Sequence, residues 1–108
     1  MIKTVIYQES NGRKPYADWL EGLTDNRAKA RIVVRVSRMA SGNFGDCKPL
    51  RDGVQELRID HGPGYRVYLS RQGPVFVLLL CGCDKSDQTR DISRAIDYLN
   101  DWKLRGKP

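Results

Sequence analysis

The sequence predicts one small α+β domain, an antiparallel sheet with two N-terminal helices and a C-terminal helix in the order β-α-α-β-β-β-α. Three observations predict it. Residues 56–60 and 66–70 alternate apolar with polar side chains, the period of a half-buried strand, on either side of a Gly/Pro turn. Apolar residues recur at helical spacing before and after this β region, at Ala28, Ile32, Val36 and Met39 and at Ile92, Ala95, Ile96, Leu99 and Trp102. With 108 residues and 40% hydrophobic content, the chain can bury a single core without disulfide or metal staples. The domain is expected to span residues 1–108, with no repeat, linker or low-complexity tract.

Each element has a local reason. Ile2 to Tyr7 reads as a first strand, and Asn11-Gly12 turns the chain. Pro15 suits the first turn of a helix carrying Trp19, Leu20 and Leu23. Thr24 or Asp25 can cap a second helix that reaches about Ala40, where Ser41-Gly42-Asn43 ends it. Cys47 to Leu50 is a short strand candidate, and Asp52-Gly53 leads into the hairpin. After Gln72-Gly73-Pro74, the run Val75 to Cys81 is apolar on both faces, as a strand covered on each side requires. Asp84 to Asp87 forms a polar elbow, and Ser86 or Asp87 can cap the last helix.

The hairpin carries the most functional information. Leu57 and Ile59 point one way, and Glu56, Arg58 and Asp60 the other; beyond the turn, Val67 and Leu69 oppose Arg66, Tyr68 and Ser70. Two guanidiniums and a phenol on a rigid sheet suit a phosphate backbone and a stacked base, and a solvated outer face is the plainer reading. Arg58 and Arg66 share a face only if the connecting loop is odd, three or five residues or an equivalent bulge. A four-residue loop with Asp60 opposite Tyr65 would separate them.

Other features are weaker. Lys and Arg number 19 against 13 Asp and Glu, a net +6 that favours polyanionic partners without naming one. Arg27, Arg31, Arg35 and Arg38 fall on one arc of the second helix, either as a phosphate-tracking surface or as solvated charge. Lys85 and Gln88 sit where the last strand meets a helix N-terminus, a setting that favours anions. Asp91, one turn on, is a dipole-stabilising carboxylate or an acceptor for a substrate hydroxyl. His61 is the single histidine, in a His-Gly-Pro-Gly turn, so a two-histidine acid–base pair is excluded. Cys47, Cys81 and Cys83 give no disulfide framework and a poor zinc set, and Cys81 reads as a buried reduced thiol. No apolar run suits a signal peptide or a membrane span, so a cytoplasmic protein is expected.

Together these segments resemble a family. Trp19-Leu20 with Leu23 before a basic helix, Gly42-Asn43-Phe44-Gly45-Asp46 with Lys48-Pro49, Gly53-Val54, Glu56-Leu57-Arg58-Ile59, Gly62-Pro63-Gly64-Tyr65-Arg66-Val67-Tyr68, and Cys81-Gly82-Cys83-Asp84-Lys85-Ser86 with Gln88 and Asp91-Ile92 are similar to the RelE/ParE toxin superfamily, in particular its HigB-like branch. The resemblance implies a RelE-like fold and the toxin of a type II toxin–antitoxin pair, neutralised by a helix-turn-helix antitoxin. It implies a ribosome-dependent, metal-independent mRNA endonuclease without a cofactor, the alternative being a ParE-like protein that binds and poisons DNA gyrase. Arg66 then matches the arginine that stabilises the phosphorane-like transition state, and Arg58 and Lys85 match neighbouring basic positions. RelE-type members carry a tyrosine base near the chain end, where this sequence has Arg90 and Asp91. Asp91, Lys85 and Tyr68 are the candidates for that base. Glu56 stands where some relatives place a basic residue.

Overall fold

The computed structural model describes residues 1–84 and 88–106. Among them, β1 (Lys3–Ile6), α1 (Pro15–Glu21), α2 (Asn26–Met39), β2 (Cys47–Pro49), β3 (Gln55–Ile59), β4 (Tyr65–Arg71), β5 (Phe76–Asp84) and α3 (Gln88–Leu104) follow in order. The strands form one sheet in the order β1-β5-β4-β3-β2. The α+β class holds, with one correction. The sheet is mixed, because β1 runs parallel to β5 while the other pairs are antiparallel. The sequence pattern marks strands but carries no sign of their direction, and β1 is separated from β5 by both N-terminal helices.

Local signals acted as the chemistry requires. Pro15 opens α1, where its missing N–H costs nothing. Asp25, rather than Thr24, caps α2: its carboxylate accepts from the N–H groups of Arg27 and Ala28 at 3.0 and 3.1 Å. The loop between β3 and β4 is Asp60–Gly64, five residues, and Arg58 pairs directly with Arg66. The odd-loop condition is therefore met.

Helices cover both faces of the sheet. On one side α1 and α2 seal a core of Tyr16, Ala28, Ile32, Met39, Leu57, Ile59, Val67, Leu69, Val77 and Leu79. On the other, α3 presses Ala95, Leu99 and Trp102 onto Val54, Tyr68, Leu78, Leu80, Cys81 and Cys83. Glu56, Tyr68 and Ser70 on the hairpin's polar face are thus part of a second interior, while Arg58 and Asp60 stay exposed at its end. The apolar stripe of α3 needed a surface to bury against, and the face carrying Glu56 and Tyr68 was the one left.

One irregularity sets the phase of β5. Tyr68 pairs with Cys81 and Leu69 with Leu79, so Leu80 is an extra residue, a β-bulge. Leu80 and Cys81 consequently both point toward α3, and Gly82 turns back toward α1. There the Trp19 ring lies so close against the Gly82 backbone that a Cβ would overlap it at Cε3 and Cζ3. β5 also runs three residues past Cys81, so Asp84 ends the strand and is not part of an elbow. The proposed caps Ser86 and Asp87 lie outside the described residues.

Candidate functional site

The sheet brings Arg58 and Arg66 side by side at the open end of the β3–β4 hairpin. A cleft of about 270 Å³ opens there, lined by Asp46, Arg58, Asp60, Pro63, Tyr65 and Arg66 among others. It adjoins a second hollow that Arg31, Val34, Arg35 and Arg38 of α2 share with Ile59 and Asp60 of the hairpin. The two basic groups singled out from the sequence, the hairpin pair and the α2 arc, therefore meet along one surface.

Acidic groups answer the hairpin arginines. The Arg58 N–H bonds to the carbonyl of Asp46, which extends the β2–β3 ladder and sets the two side chains abreast. Asp46 then pairs with the half-exposed Arg58 guanidinium at 3.3 Å. Behind both arginines lies Glu56, only 1% exposed, with Oε2 3.6 Å from Arg66 Nε and Oε1 4.0 Å from Arg58 Nε. Those separations give Coulombic attraction but exceed hydrogen-bond length. The hydrogen bond that holds Glu56 comes instead from α3, where Gln88 Nε2 donates to Oε2 at 2.8 Å. Gln88, an RNA-binding candidate, is therefore spent inside the protein. Glu56 Oε1 and Arg66 Nε and Nη1 are buried without a hydrogen-bond partner among the described residues.

Deeper under α3 are the candidate bases. Tyr68 is fully buried, which corrects its reading as a stacking platform: no ring face is open to a base. Burial first, then the hydrogen bond from the Cys83 thiol at 3.7 Å, makes its phenol harder to deprotonate. Cys83 is itself pushed up to about 12, by burial and then through its contacts with Tyr68, which lowers it, and Asp91, which raises it. Burial pushes Cys81 up to about 12 as well. Both thiols are free and buried, as the sequence reading of Cys81 expects. Asp91 is 9% exposed, lies near enough to Cys83 to raise its thiol electrostatically, and its Oδ2 has no partner among the described residues. Lys85 lies outside the described residues. Tyr98 packs, stacked on Tyr7 with ring centroids 5.0 Å apart.

The α2 arginines divide. Arg27, Arg31 and Arg38 are exposed. Arg35 is not a free phosphate contact. Its guanidinium donates to the carbonyls of Arg58, Phe44 and Asp46 at 2.7, 3.3 and 3.4 Å, fixing the backbone that presents Asp46 and Arg58. His61 is structural too, since its Nε2 lies 3.2 Å from Asp25 Oδ2 and ties the hairpin loop to the α2 cap. The Ala28 N–H and then His61 hold the Asp25 carboxyl below its ordinary value. Among the described residues there is no group of His, Cys, Asp and Glu arranged to hold a metal ion. None of their helices is long and apolar enough to cross a membrane.

Sheet and site define a class: an α+β domain with a charge-paired arginine hairpin backed by a buried carboxylate. No family model matches the sequence. An uncharacterized protein of Haemophilus influenzae is 55% identical over 80 residues, 74% of this chain and 81% of the relative. The chain belongs to the same family as that protein.

Proposed function

We propose that this protein is the toxin of a type II toxin–antitoxin pair with a RelE-like fold, acting as a ribosome-dependent, metal-independent mRNA endonuclease that blocks translation. The observation that carries the reading is the direct pairing of Arg58 with Arg66 at a surface cleft, next to the exposed arginines of α2. Such fixed charge suits a transition state in which negative charge grows on a phosphate. In the reaction, the RNA 2′-oxygen attacks the adjacent phosphorus and the 5′-oxygen leaves, giving a cyclic phosphate and a 5′-hydroxyl. The 2′-hydroxyl proton passes to a base and the 5′-oxygen gains one. Asp91 and Lys85 are the remaining candidates for that base, since the Tyr68 phenol is sealed and holds its proton tightly. A helix-turn-helix antitoxin is the proposed protein partner, and the cytoplasm the proposed location.

The test is single-turnover cleavage of ribosome-bound mRNA, with circular dichroism as the folding control. Arg66→Ala should lose about 10²-fold or more in rate, roughly 3 kcal/mol. Arg66→Lys should also be impaired, because lysine keeps the charge but loses the two-pronged contact. One observation favours a second reading. Glu56 and Asp46 already balance the two hairpin arginines, which fits a ParE-like protein that binds gyrase without chemistry. Toxicity that persists in Arg66→Ala, with intact mRNA and stalled gyrase, would establish that alternative.

A further inference from the structure

Glu56 is the charged residue that the proposed activity leaves unused. It is one of the largest fully buried side chains, yet it lies between two arginines without hydrogen-bonding to either. A carboxylate placed to fix a guanidinium for good would make two short parallel bonds to it. Here Arg66 Nε stands 3.6 Å away, and Arg66 Nε and Nη1 have no hydrogen-bond partner among the described residues. The carboxylate is anchored from the other side, by Gln88 of α3. Its attraction is therefore mainly charge neutralisation, while donors on Arg66 stay uncommitted. Desolvating a charge that is so loosely paired is costly, which makes the arrangement poor as a stability device.

We propose that Glu56 is an internal counter-ion, which keeps the Arg58–Arg66 pair electrically balanced at rest and competes with an incoming RNA phosphate for the same guanidiniums. A phosphate in the cleft draws Arg66 toward its own oxygens, and Gln88 retains Glu56. Glu56 is then a positioning residue that sets how strongly the site discriminates. A weakly placed anion does not repay the loss of the Glu56 contact, whereas a phosphate that also engages the α2 arginines does. The inference rests on the reading of this cleft as a phosphate site.

The competition predicts a sign that a merely structural role would not produce: neutralising Glu56 should tighten binding. The experiment measures affinity and salt dependence for a short, uncleavable 2′-O-methyl RNA, by fluorescence anisotropy. The proteins are the wild type, Glu56→Gln, Arg66→Ala and the double variant. Glutamine keeps the shape and the acceptor for Gln88. Glu56→Gln should bind about five- to tenfold more tightly than the wild type, the scale of one relieved charge pair. In the Arg66→Ala background the same change should have a much smaller effect. Glu56→Asp, which keeps the charge and retracts it by one methylene, should fall between, and covers the case in which glutamine does not fold. If Arg66→Ala weakens binding but Glu56→Gln and Glu56→Asp leave it unchanged or weaker, the counter-ion role is overturned and the phosphate cleft stands. If Arg66→Ala binds as well as the wild type, the phosphate cleft itself is wrong and the inference falls with it.

Discussion

The two faces of this sheet are built from the same strands but to different standards of closure. The face under α1 and α2 buries aliphatic and aromatic side chains around Ile32, Leu57 and Val67. The face under α3 buries comparable apolar residues, and in addition Glu56, Ser70 and Asp91. Five buried side-chain atoms lack a hydrogen-bond partner among the described residues: Glu56 Oε1, Arg66 Nε and Nη1, Asp91 Oδ2 and Trp102 Nε1. All of them belong to this second face. Buried polar groups are normally satisfied, because each orphan costs about 1–3 kcal/mol. The first face has no such atom among the described residues; the second carries buried polar groups at a cost to stability.

Substitutions can break this contrast, beginning with the largest effect. On the α3 side, Glu56→Leu alone should cost about 3–5 kcal/mol, since it leaves the largely buried Arg66 guanidinium without its carboxylate. The double change Glu56→Leu with Arg66→Met should recover that loss and be neutral or more stable than the wild type in urea unfolding. A double variant as unstable as the single would mean that the pair contributes to stability after all. On the apolar side no such rescue exists: Ile32→Ala should cost about 2–5 kcal/mol through its cavity. Gly82→Ala should cost about 1–3 kcal/mol by forcing the Trp19 ring off the strand. Near-wild-type stability there would show that α1 shifts easily.

Smaller effects sharpen the comparison at the margin of the site. Arg35→Ala removes the donor to three backbone carbonyls and should cost about 1 kcal/mol, whereas exposed Arg31→Ala should leave stability within about 0.5 kcal/mol. If the α2 surface tracks phosphates, Arg31→Ala with Arg38→Ala should flatten the salt dependence of RNA binding. An unchanged slope would assign those arginines to solvation. Smallest is the cap. The Asp25 carboxyl is held below its ordinary value of 3.8, so its stabilisation is complete above that value and is lost as pH falls through the lowered one. Thermal melts of the wild type and Asp25→Ala should therefore differ at neutral pH and converge on acidification.

How far the sequence was legible follows from the same contrast. The two hairpin strands, the proline start of α1 and a cap at Thr24 or Asp25 were readable, because turn chemistry and period-two alternation are local; the register was left to the length of the loop. What covers a polar strand face is not local. Glu56, Arg58 and Tyr68 alternate identically whether water or α3 lies above them, so burial of Tyr68 could be read only by asking what the α3 stripe packs against. Arg35 was hidden for a similar reason. It shares the four-residue spacing of Arg27 and Arg31, and only the loop at Phe44–Asp46 folding back beneath it distinguishes it. The bulge at Leu80 had no signal, since a run of three leucines looks the same in either phase.

That bulge bears on which changes of chain length the protein can absorb. With Leu80 opposing no residue of its own, β5 is one residue longer than its ladder with β4 requires. Deleting any one of Leu78, Leu79 or Leu80 would restore a regular ladder, with leucine facing both helical layers whichever was removed. Gly82 would remain under Trp19, and Cys83 beside Tyr68. Deleting Gly82 instead would slide a side chain beneath the Trp19 ring. Melting curves of the two deletions would check this: a one-leucine deletion should fold, and the Gly82 deletion should not. The leucine run is then the stretch of this strand where a lost codon can be tolerated, a short step along the chain from a place where it cannot.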